Sequence, residues 1–178
     1  MSPQLHKFYR FGFGYDNSTD TYKMVMLRFY HVGQIEDQVR NSVKVFTFGV
    51  NIPKEIQSFP VTVVFHPDSY AVEHSGVYLS NSLSWLVRHR YTCHWNNLTI
   101  EQFVIISLDL GTETYTRLLL PPCCDKLPPL NTPTLTVLMD CLCFTHDFDK
   151  THFVIWQMKE FGVEDSWTHF LKISYQFK

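Results

Sequence analysis

The feature that most constrains the fold is a succession of short, aromatic-rich apolar runs separated by turn signals. The chain of 178 residues contains 15 Phe, nine Tyr and four Trp, residue types that favour the pleated, half-buried surface of a sheet. Several runs alternate apolar and polar residues, and no helical spacing of apolar residues persists along the chain. We therefore predict an all-β protein, with strands at Lys7–Tyr15, Tyr22–Tyr30, Ser42–Gly49, Ile56–Phe59, Tyr70–Ser80, Leu83–Tyr91, Phe103–Leu110, Thr114–Leu120, Leu135–Cys143, His152–Lys159 and Trp167–Tyr175.

The turn residues predict where hairpins and connections lie. Asp16–Asp20 has the composition of an Asx-type hairpin connection, and Ser80–Ser82 gives a second hairpin signal. The prolines of Pro121–Pro133 exclude a central strand, so we predict a surface connection between two sheets there. The continuous apolar run Phe103–Ile106 predicts a strand buried on both faces, and Gly162–Asp165 predicts one helical turn or a tight loop.

The chain repeats itself at two lengths. Residues 15–22 and 108–115 share an Asp, a Thr, an acid, a second Thr and a Tyr in register. A longer pattern of strand, polar turn and closing strand recurs at 43–59, 103–120 and 153–173. Periods of about 45 to 60 residues are typical of propeller blades, although a plain antiparallel sandwich with similar hairpins is the alternative.

We expect a single domain over residues 1–178, built from three blade-like units at roughly 8–60, 70–121 and 134–176. A closed propeller normally has at least about four blades. Three antiparallel units would leave sheet edges exposed. The sequence therefore predicts an incomplete propeller, or pairing with another chain.

Charge and composition exclude several functional classes. The formal net charge is -2, and the Lys and Arg residues are scattered, so no basic patch indicates binding of nucleic acid. No apolar run reaches the roughly 18 residues of a membrane span, and the start lacks a signal-peptide core. Five cysteines without a CxxC pair indicate reduced thiols rather than disulfides. We therefore expect a soluble protein of the cytoplasm and/or nucleus.

The sequence predicts neither a metal site nor a catalytic centre. Asp16 and Asp109 are predicted to accept backbone hydrogen bonds inside their turns, rather than to converge as a catalytic pair of carboxylates. We therefore assign no catalytic residue and no cofactor. Residues that could bind zinc have spacings that match no zinc module, so buried free thiols are favoured; these residues are Cys123, Cys124, Cys141 and Cys143, with His94 or His146.

Tryptophans and glycines in the motifs are interpreted mainly as scaffold. Burial of an indole contributes a few kcal/mol, so we predict core positions for the tryptophans, with a binding-face position as the alternative. The glycines are predicted to permit a bulge, a bend or a close approach of strands. The structural motif residues are Gly12, Gly14, Tyr15, Asp16, Gly76, Trp85, Asp109, Glu113, Trp156, Gly162 and Trp167.

The densest aromatic and basic loop is predicted to contact a partner. Loops on a rigid scaffold commonly carry recognition, and Trp, Tyr and Arg are enriched among interface anchors. Further candidate loops lie at 33–41 and 65–69, and His146–Lys150 is predicted to be a polar hairpin loop. The candidate partner-binding residues are Arg88, His89, Arg90, Tyr91, His94 and Trp95.

Five segments in order resemble the F-box-associated interaction domain of plant F-box proteins. Residues 12–16 and 22–25 read GFGYD and YKMV, which is similar to the opening GFGYD…YKVV of that family. Residues 75–78 with 83–86 resemble its glycine–valine hairpin, 106–113 its I-x-S-F-D-L strand, and 119–121 its I-P-L-P segment. The most specific match is at 155–163 and 165–168, which read IWQMKEFGV and DSWT. The resemblance covers roughly residues 8–175.

This resemblance implies a kelch-like, propeller-like β fold, and protein recognition rather than catalysis. Such domains are similar to substrate receptors of cullin-based ubiquitin ligases, in which a separate F-box binds the Skp adaptor. No leucine- and proline-rich helical module precedes Phe8, so we expect a protein substrate as the partner and no adaptor binding by this chain alone. The family's tryptophan on the first closing strand is also missing near Asn51–Pro53. The alternative function is a β-propeller-like enzyme or sensor with a small ligand in an aromatic pocket.

Overall fold

A computed structural model describes residues 7–31, 39–60, 75–88, 102–122, 133–148 and 151–175. These residues form strands, together with a 3-10 turn at Glu164–Ser166. That turn confirms the tight local structure predicted after Gly162. The strands are β1 Lys7–Asp16, β2 Thr21–His31, β3 Val39–Thr47, β4 Lys54–Ile56, β5 Val77–Leu79, β6 Ser82–Arg88, β7 Phe103–Asp109, β8 Tyr115–Leu118, β9 Thr134–Leu138, β10 Cys141–Phe148, β11 His152–Met158 and β12 Trp167–Ser174.

The strands form three four-stranded antiparallel sheets. Sheet 1 has the order β1-β2-β3-β4, sheet 2 the order β5-β6-β7-β8, and sheet 3 the order β9-β10-β11-β12. Each sheet is therefore a simple up-and-down meander, which is the arrangement of a propeller blade. The predicted all-β fold with three blade-like sheets is confirmed, and the three sheets of the described residues make an incomplete propeller.

One hairpin differs from its prediction. The sequence predicts a single strand at Leu135–Cys143, but the chain reverses at Met139 and Asp140, whose φ angles are 52° and 56°. Two-residue hairpin turns with positive φ usually carry Asn-Gly or Asp-Gly, and Met-Asp gives no such signal. The predicted loop at 146–150 is also wrong at its start, because β10 continues to Phe148 and buries His146.

Other strand boundaries differ by a few residues. The fourth strand of sheet 1 is Lys54–Ile56, earlier than the predicted Ile56–Phe59. The predicted loop at 33–41 ends earlier, since β3 begins at Val39. Residues 65–69 lie outside the described ranges.

Two apolar cores lie between the sheets, and sheet 2 contributes to both. Phe103–Ile106 confirms the strand buried on both faces, because Val104 and Ile106 point to one core and Ile105 to the other. The first core joins sheets 1 and 2 through Val25, Leu27, Phe29, Val43, Val45, Leu83, Trp85, Val87, Ile106 and Leu108. The second core joins sheets 2 and 3 through Leu79, Leu86, Ile105, Leu118, Leu135, Leu142, Phe144, Met158 and Trp167.

Glycine permits the first strands of sheets 1 and 2 to meet. Gly12 and Gly76 form a parallel bridge, and the Gly76 amide donates a hydrogen bond of 2.6 Å to the Phe11 carbonyl. A Cβ atom on Gly76 would lie 2.5 Å from the Trp85 ring, which is closer than carbon atoms pack. Strands this close need a residue without a side chain.

Short turns of the three sheets share one end of the molecule. The Asn17 amide, in the β1–β2 turn, donates 2.8 Å to Oδ1 of Asn81 in the β5–β6 turn. Phe161 and Gly162, in the β11–β12 turn, line a recess with Asp109 at the end of β7. We call this the turn end. Since the strands are antiparallel, β2, β6 and β10 finish at the opposite end, where β3, β7 and β11 begin, and we call it the loop end.

Candidate recognition surface

The predicted partner-binding segment starts at the loop end of sheet 2. Arg88 is the last residue of β6, and β7 begins at Phe103, so these two strand ends frame the connection. Arg88 therefore belongs to a strand rather than to the loop. Its fellow candidates lie outside the described residues; they are His89, Arg90, Tyr91, His94 and Trp95.

Described residues near the loop end are cationic and aromatic. Arg10, near the start of β1, donates 3.0 Å to the Leu86 carbonyl and so ties sheet 1 to sheet 2. The Arg28 guanidinium lies 5.3 Å from the centroid of the Tyr30 ring, which is cation–π geometry. His146 is buried on sheet 3, and burial lowers its pKa from the ordinary value. Arg and Tyr are residue types that interfaces favour, so this end suits contact with a protein.

A buried ion pair lies between sheets 1 and 2 at the turn end. Asp16 is 0% exposed and Lys23 6% exposed. The Lys23 ammonium is 2.8 Å from Oδ2 of Asp16 and donates 2.7 Å to the Leu110 carbonyl of sheet 2. Glu113 lies 3.7 Å from the same ammonium and 2.5 Å from Lys54, which is exposed. The cluster is therefore a polar link between the two sheets.

The protonation state of Asp16 follows from its partners. Burial alone would raise the pKa of this carboxyl, but hydrogen bonds from Lys23, Ser18 and Thr19 outweigh burial and hold the pKa well below its usual range. Asp16 is therefore ionised at neutral pH. A carboxylate enclosed by donors in this way is a poor general acid or base, since such catalysis needs a pKa near the working pH.

Asp109 has a similar local role in the β7–β8 turn. It accepts hydrogen bonds from the Gly111 and Thr112 amides at 2.9 and 2.7 Å. Burial acts to raise its pKa, but these bonds lower it overall. The recess that Asp109 helps to line has a volume of about 170 Å³, below the roughly 300 to 1,000 Å³ of small-molecule sites. This recess therefore gives no support to the alternative of a ligand-binding enzyme or sensor.

The thiols and histidines of the described residues form no metal site. Cys141 and Cys143 are free thiols on β10, and burial raises the pKa of Cys143. Among the residues that the structure describes, no three His, Cys, Asp or Glu side chains group as a metal would require. Cys123, Cys124 and His94 lie outside the described residues.

An exposed aromatic surface covers the outer side of sheet 1. Residues of β1 alternate strictly, so Gly12, Gly14 and Asp16 point to sheet 2 while Phe and Tyr point outward. Phe13 and Tyr22 stack with centroids 5.5 Å apart, and both contact Phe48. We call this surface the aromatic face, and it consists of Tyr9, Phe11, Phe13, Tyr15, Tyr22 and Phe48. Sequence reasoning missed it, although a glycine between successive aromatics in 11–15 signals that all the aromatics share one side.

The remaining motif residues lie at sheet joints and turns. Trp167 is buried and its indole donates 3.1 Å to the Leu119 carbonyl of sheet 2. Trp156 is half-buried and lies edge-on to His169 at 5.2 Å. Gly162 has a φ of 87° in the β11–β12 turn, a conformation that favours glycine. Tyr15 donates a hydrogen bond to Asp20 across its hairpin turn.

Within the described parts of the chain, no helix has the length and apolar character needed to cross a bilayer.

Comparison with known proteins agrees with this architecture. The sequence model of the protein family described as the F-box associated beta propeller domain matches residues 1–178. An F-box/kelch-repeat protein of Arabidopsis thaliana is 31% identical over 163 residues, which cover 92% of this chain and 39% of that protein. The F-box protein CPR1 of Arabidopsis thaliana is 30% identical over 166 residues, covering 89% of this chain and 38% of CPR1. No solved structure matches significantly. The chain therefore belongs to the F-box associated beta propeller domain family.

Proposed function

We propose that this chain is the substrate-binding part of an F-box protein and captures proteins for ubiquitin-dependent degradation. The observation that carries the proposal is the family match over the whole chain, together with two relatives named as F-box proteins. The chain spans about two fifths of the length of those relatives. Binding of the Skp adaptor is accordingly proposed only where an F-box is present in the same protein.

The proposed substrate contact lies at the loop end of sheet 2. Two features support this location. Arg88 and Phe103 are the ends of a strand pair with a well-packed core, and β2 and β10 end at the same end of the molecule as β6. Segments that connect the strands of a rigid scaffold commonly carry recognition. The proposed contact residues are Arg88, His89, Arg90, Tyr91, His94 and Trp95.

We propose that the chain acts by binding and not by catalysis. Asp16 and Asp109 lie at the β1–β2 and β7–β8 turns. Their carboxylate oxygens already accept hydrogen bonds from neighbouring amides and hydroxyls, and Asp16 also pairs with an ammonium. Acceptors occupied in this way are not oriented toward a substrate.

The test is affinity capture with a charge-reversed chain. Wild type and the double variant Arg88→Glu with Arg90→Glu are expressed in plant cells, and captured proteins are quantified by mass spectrometry after proteasome inhibition. We expect specific partners to fall at least tenfold with the variant, because interface arginines commonly dominate binding. Ubiquitin conjugates of those partners should fall in parallel when the chain is fused behind an F-box.

Arg117→Glu provides the control, since Arg117 is exposed on β8, away from the segment being tested. It should capture the wild-type set of partners. Equal capture by the double variant and wild type would contradict the proposed contact. Capture of no specific protein by wild type would contradict the proposed function itself.

A further inference from the structure

Among the described residues, sheets 1 and 3 each expose apolar side chains on the side away from sheet 2. Sheet 2 is covered on both sides by the two cores. On sheet 1 the aromatic face is uncovered: Phe13, Tyr22 and Phe48 are 52%, 51% and 67% exposed. Exposed apolar patches of this kind mark interaction sites in soluble proteins.

On the side of sheet 3 away from sheet 2, the most exposed apolar side chains lie along the edge strand β12, while Cys143 and Gln157 on the same side are buried. The β11–β12 register places Ile155 opposite Leu171 and Phe153 opposite Ile173, and alternation puts these four side chains on the outer side. Leu171, Ile173 and Tyr175 are exposed. We call this surface the C-terminal face, and it consists of Phe153, Ile155, Leu171, Ile173 and Tyr175.

From these surfaces we propose that two copies of the chain close a six-sheet ring. The aromatic face of each copy packs against the C-terminal face of the other, which repeats the sheet-on-sheet packing that already joins sheets 1, 2 and 3. Six sheets lie within the roughly four to eight blades of known propellers. The contact is head-to-tail, but it closes after two copies and so leaves no free face for further growth.

The area of these faces is sufficient for a stable dimer. Strands β1, β2 and β3 have 10, 11 and 9 residues. With about 3.3 Å per residue and about 4.8 Å between strands, their face measures roughly 450 Å². Strands β10, β11 and β12 have 8, 7 and 8 residues, so the opposing face measures roughly 350 Å². The two faces of one copy together give roughly 800 Å², which matches the about 800 Å² that stable interfaces bury per partner.

Charges of opposite sign lie toward the loop end of the two faces. Arg28 lies on the outer side of sheet 1, three residues before the loop end of β2. Asp147 lies on the outer side of sheet 3, one residue before the loop end of β10. When the sheets of two copies point the same way around a ring, the cation of one face meets the anion of the other. Such pairs give orientation to an interface.

The first measurement is the mass of the 178-residue chain by light scattering and sedimentation between about 1 and 100 µM. We expect twice the 21.0 kDa of one copy. Phe13→Glu on the aromatic face and Ile173→Lys on the C-terminal face should each raise the dissociation constant at least tenfold. Ile52→Glu and Met139→Lys change exposed apolar residues outside both faces, and they should leave the dimer intact. Circular dichroism verifies that each variant is folded.

Mixing the two face variants tests the head-to-tail geometry. A Phe13→Glu copy keeps its C-terminal face, and an Ile173→Lys copy keeps its aromatic face, so the mixture has one intact contact and should recover dimers. Dimers lost with Phe13→Glu but unaffected by Ile173→Lys would show pairing of two aromatic faces and overturn the ring. A wild-type monomer at 100 µM would overturn it as well. The proposed function does not depend on either result.

Discussion

At the scale of single residues, Asp16 and Lys23 form a buried pair whose members depend on each other. The Lys23 ammonium pairs with the Asp16 carboxylate and donates a hydrogen bond to the Leu110 carbonyl. Asp16 also accepts hydrogen bonds from the Ser18 and Thr19 hydroxyls. A buried charge is tolerated only when it is paired and hydrogen-bonded. Loss of either partner therefore leaves the other charge uncompensated at the joint of sheets 1 and 2.

Lys23→Met should lower the free energy of unfolding by about 3 kcal/mol, since breaking a buried pair leaves the remaining charge buried without a partner. Lys54→Met is the matched control, because Lys54 also contacts Glu113 but is exposed. Its loss should cost less than about 1 kcal/mol. Urea denaturation followed by circular dichroism measures both variants. Similar losses in the two variants would show that burial of Lys23 is energetically unimportant.

Acid should destabilise the protein through Asp16. The folded pKa of Asp16 lies below its unfolded value of about 3.9. Its contribution is therefore complete above about pH 5 and is lost progressively as pH falls through the unfolded pKa toward the folded pKa. Asp16→Asn should be less stable than wild type at pH 6, yet its unfolding free energy should fall less between pH 5 and 2.5.

Ser84→Ala serves as the control for this pH dependence. It removes a buried hydrogen bond of 3.0 Å to Ser107 without removing a carboxylate. Its stability should therefore be reduced by a constant amount across the same pH range. An Asp16→Asn chain with the wild-type pH slope would contradict the assigned role of this carboxylate.

At the scale of elements, the hairpin turns differ in how well their residues fit. Ser80 and Asn81 adopt φ angles of 48° and 64°, and Asn81 accepts a hydrogen bond from the Asn17 amide. Met139 adopts the same region of φ although methionine disfavours it, whereas aspartate tolerates it at Asp140. Packing of the strands therefore holds Met139 in a conformation that its residue type does not favour.

Replacing Met139→Asn together with Asp140→Gly should stabilise the protein by about 0.5 to 1 kcal/mol, since Asn-Gly favours the positive φ angles of a two-residue hairpin. Thermal unfolding measures the gain. The same dipeptide at the β5–β6 turn, Ser80→Asn with Asn81→Gly, should not stabilise, because it removes the contact to Asn17. Destabilisation by the first change would show that the Met139 and Asp140 side chains make contacts that matter.

At the scale of the whole molecule, sheet 2 joins the two cores. Ile105 belongs to the core with sheet 3, and its neighbour Ile106 belongs to the core with sheet 1. Substitution of one or the other of these adjacent residues therefore weakens a different contact between sheets. If the sheets stabilise one another, damage to either core must weaken all three.

Ile105→Ala and Ile106→Ala should each lower the free energy of unfolding by about 3 kcal/mol. Each variant should still unfold in one transition, with tryptophan fluorescence and far-UV circular dichroism coinciding. Trp85 lies in the first core and Trp167 in the second, so fluorescence reports on both. Separate transitions in either variant would show that the sheets fold independently.

Local residue patterns determined most of the fold. Alternation in β1 and β3, the continuous apolar run in β7, and the Asp-led turns after Asp16 and Asp109 act over a few residues, so they are readable from the sequence. The third and fourth strands of the three sheets correspond to the repeats at 43–59, 103–120 and 153–173. The Met139–Asp140 turn was missed because methionine is not a turn residue and the dipeptide lacks the glycine of the usual two-residue hairpin signal.

The sequence by itself determined that the chain forms aromatic antiparallel hairpins, because side-chain alternation and turn chemistry are local properties. Only the tertiary structure decided which side of each strand is buried and which partners meet. Lys23 and the Leu110 carbonyl are 87 residues apart, and the similar segments 15–22 and 108–115 belong to different hairpins of their sheets. Lys23 meets the Leu110 carbonyl because Gly12 and Gly76 let sheets 1 and 2 approach closely. That approach leaves the aromatic side chains of β1 on the outer surface.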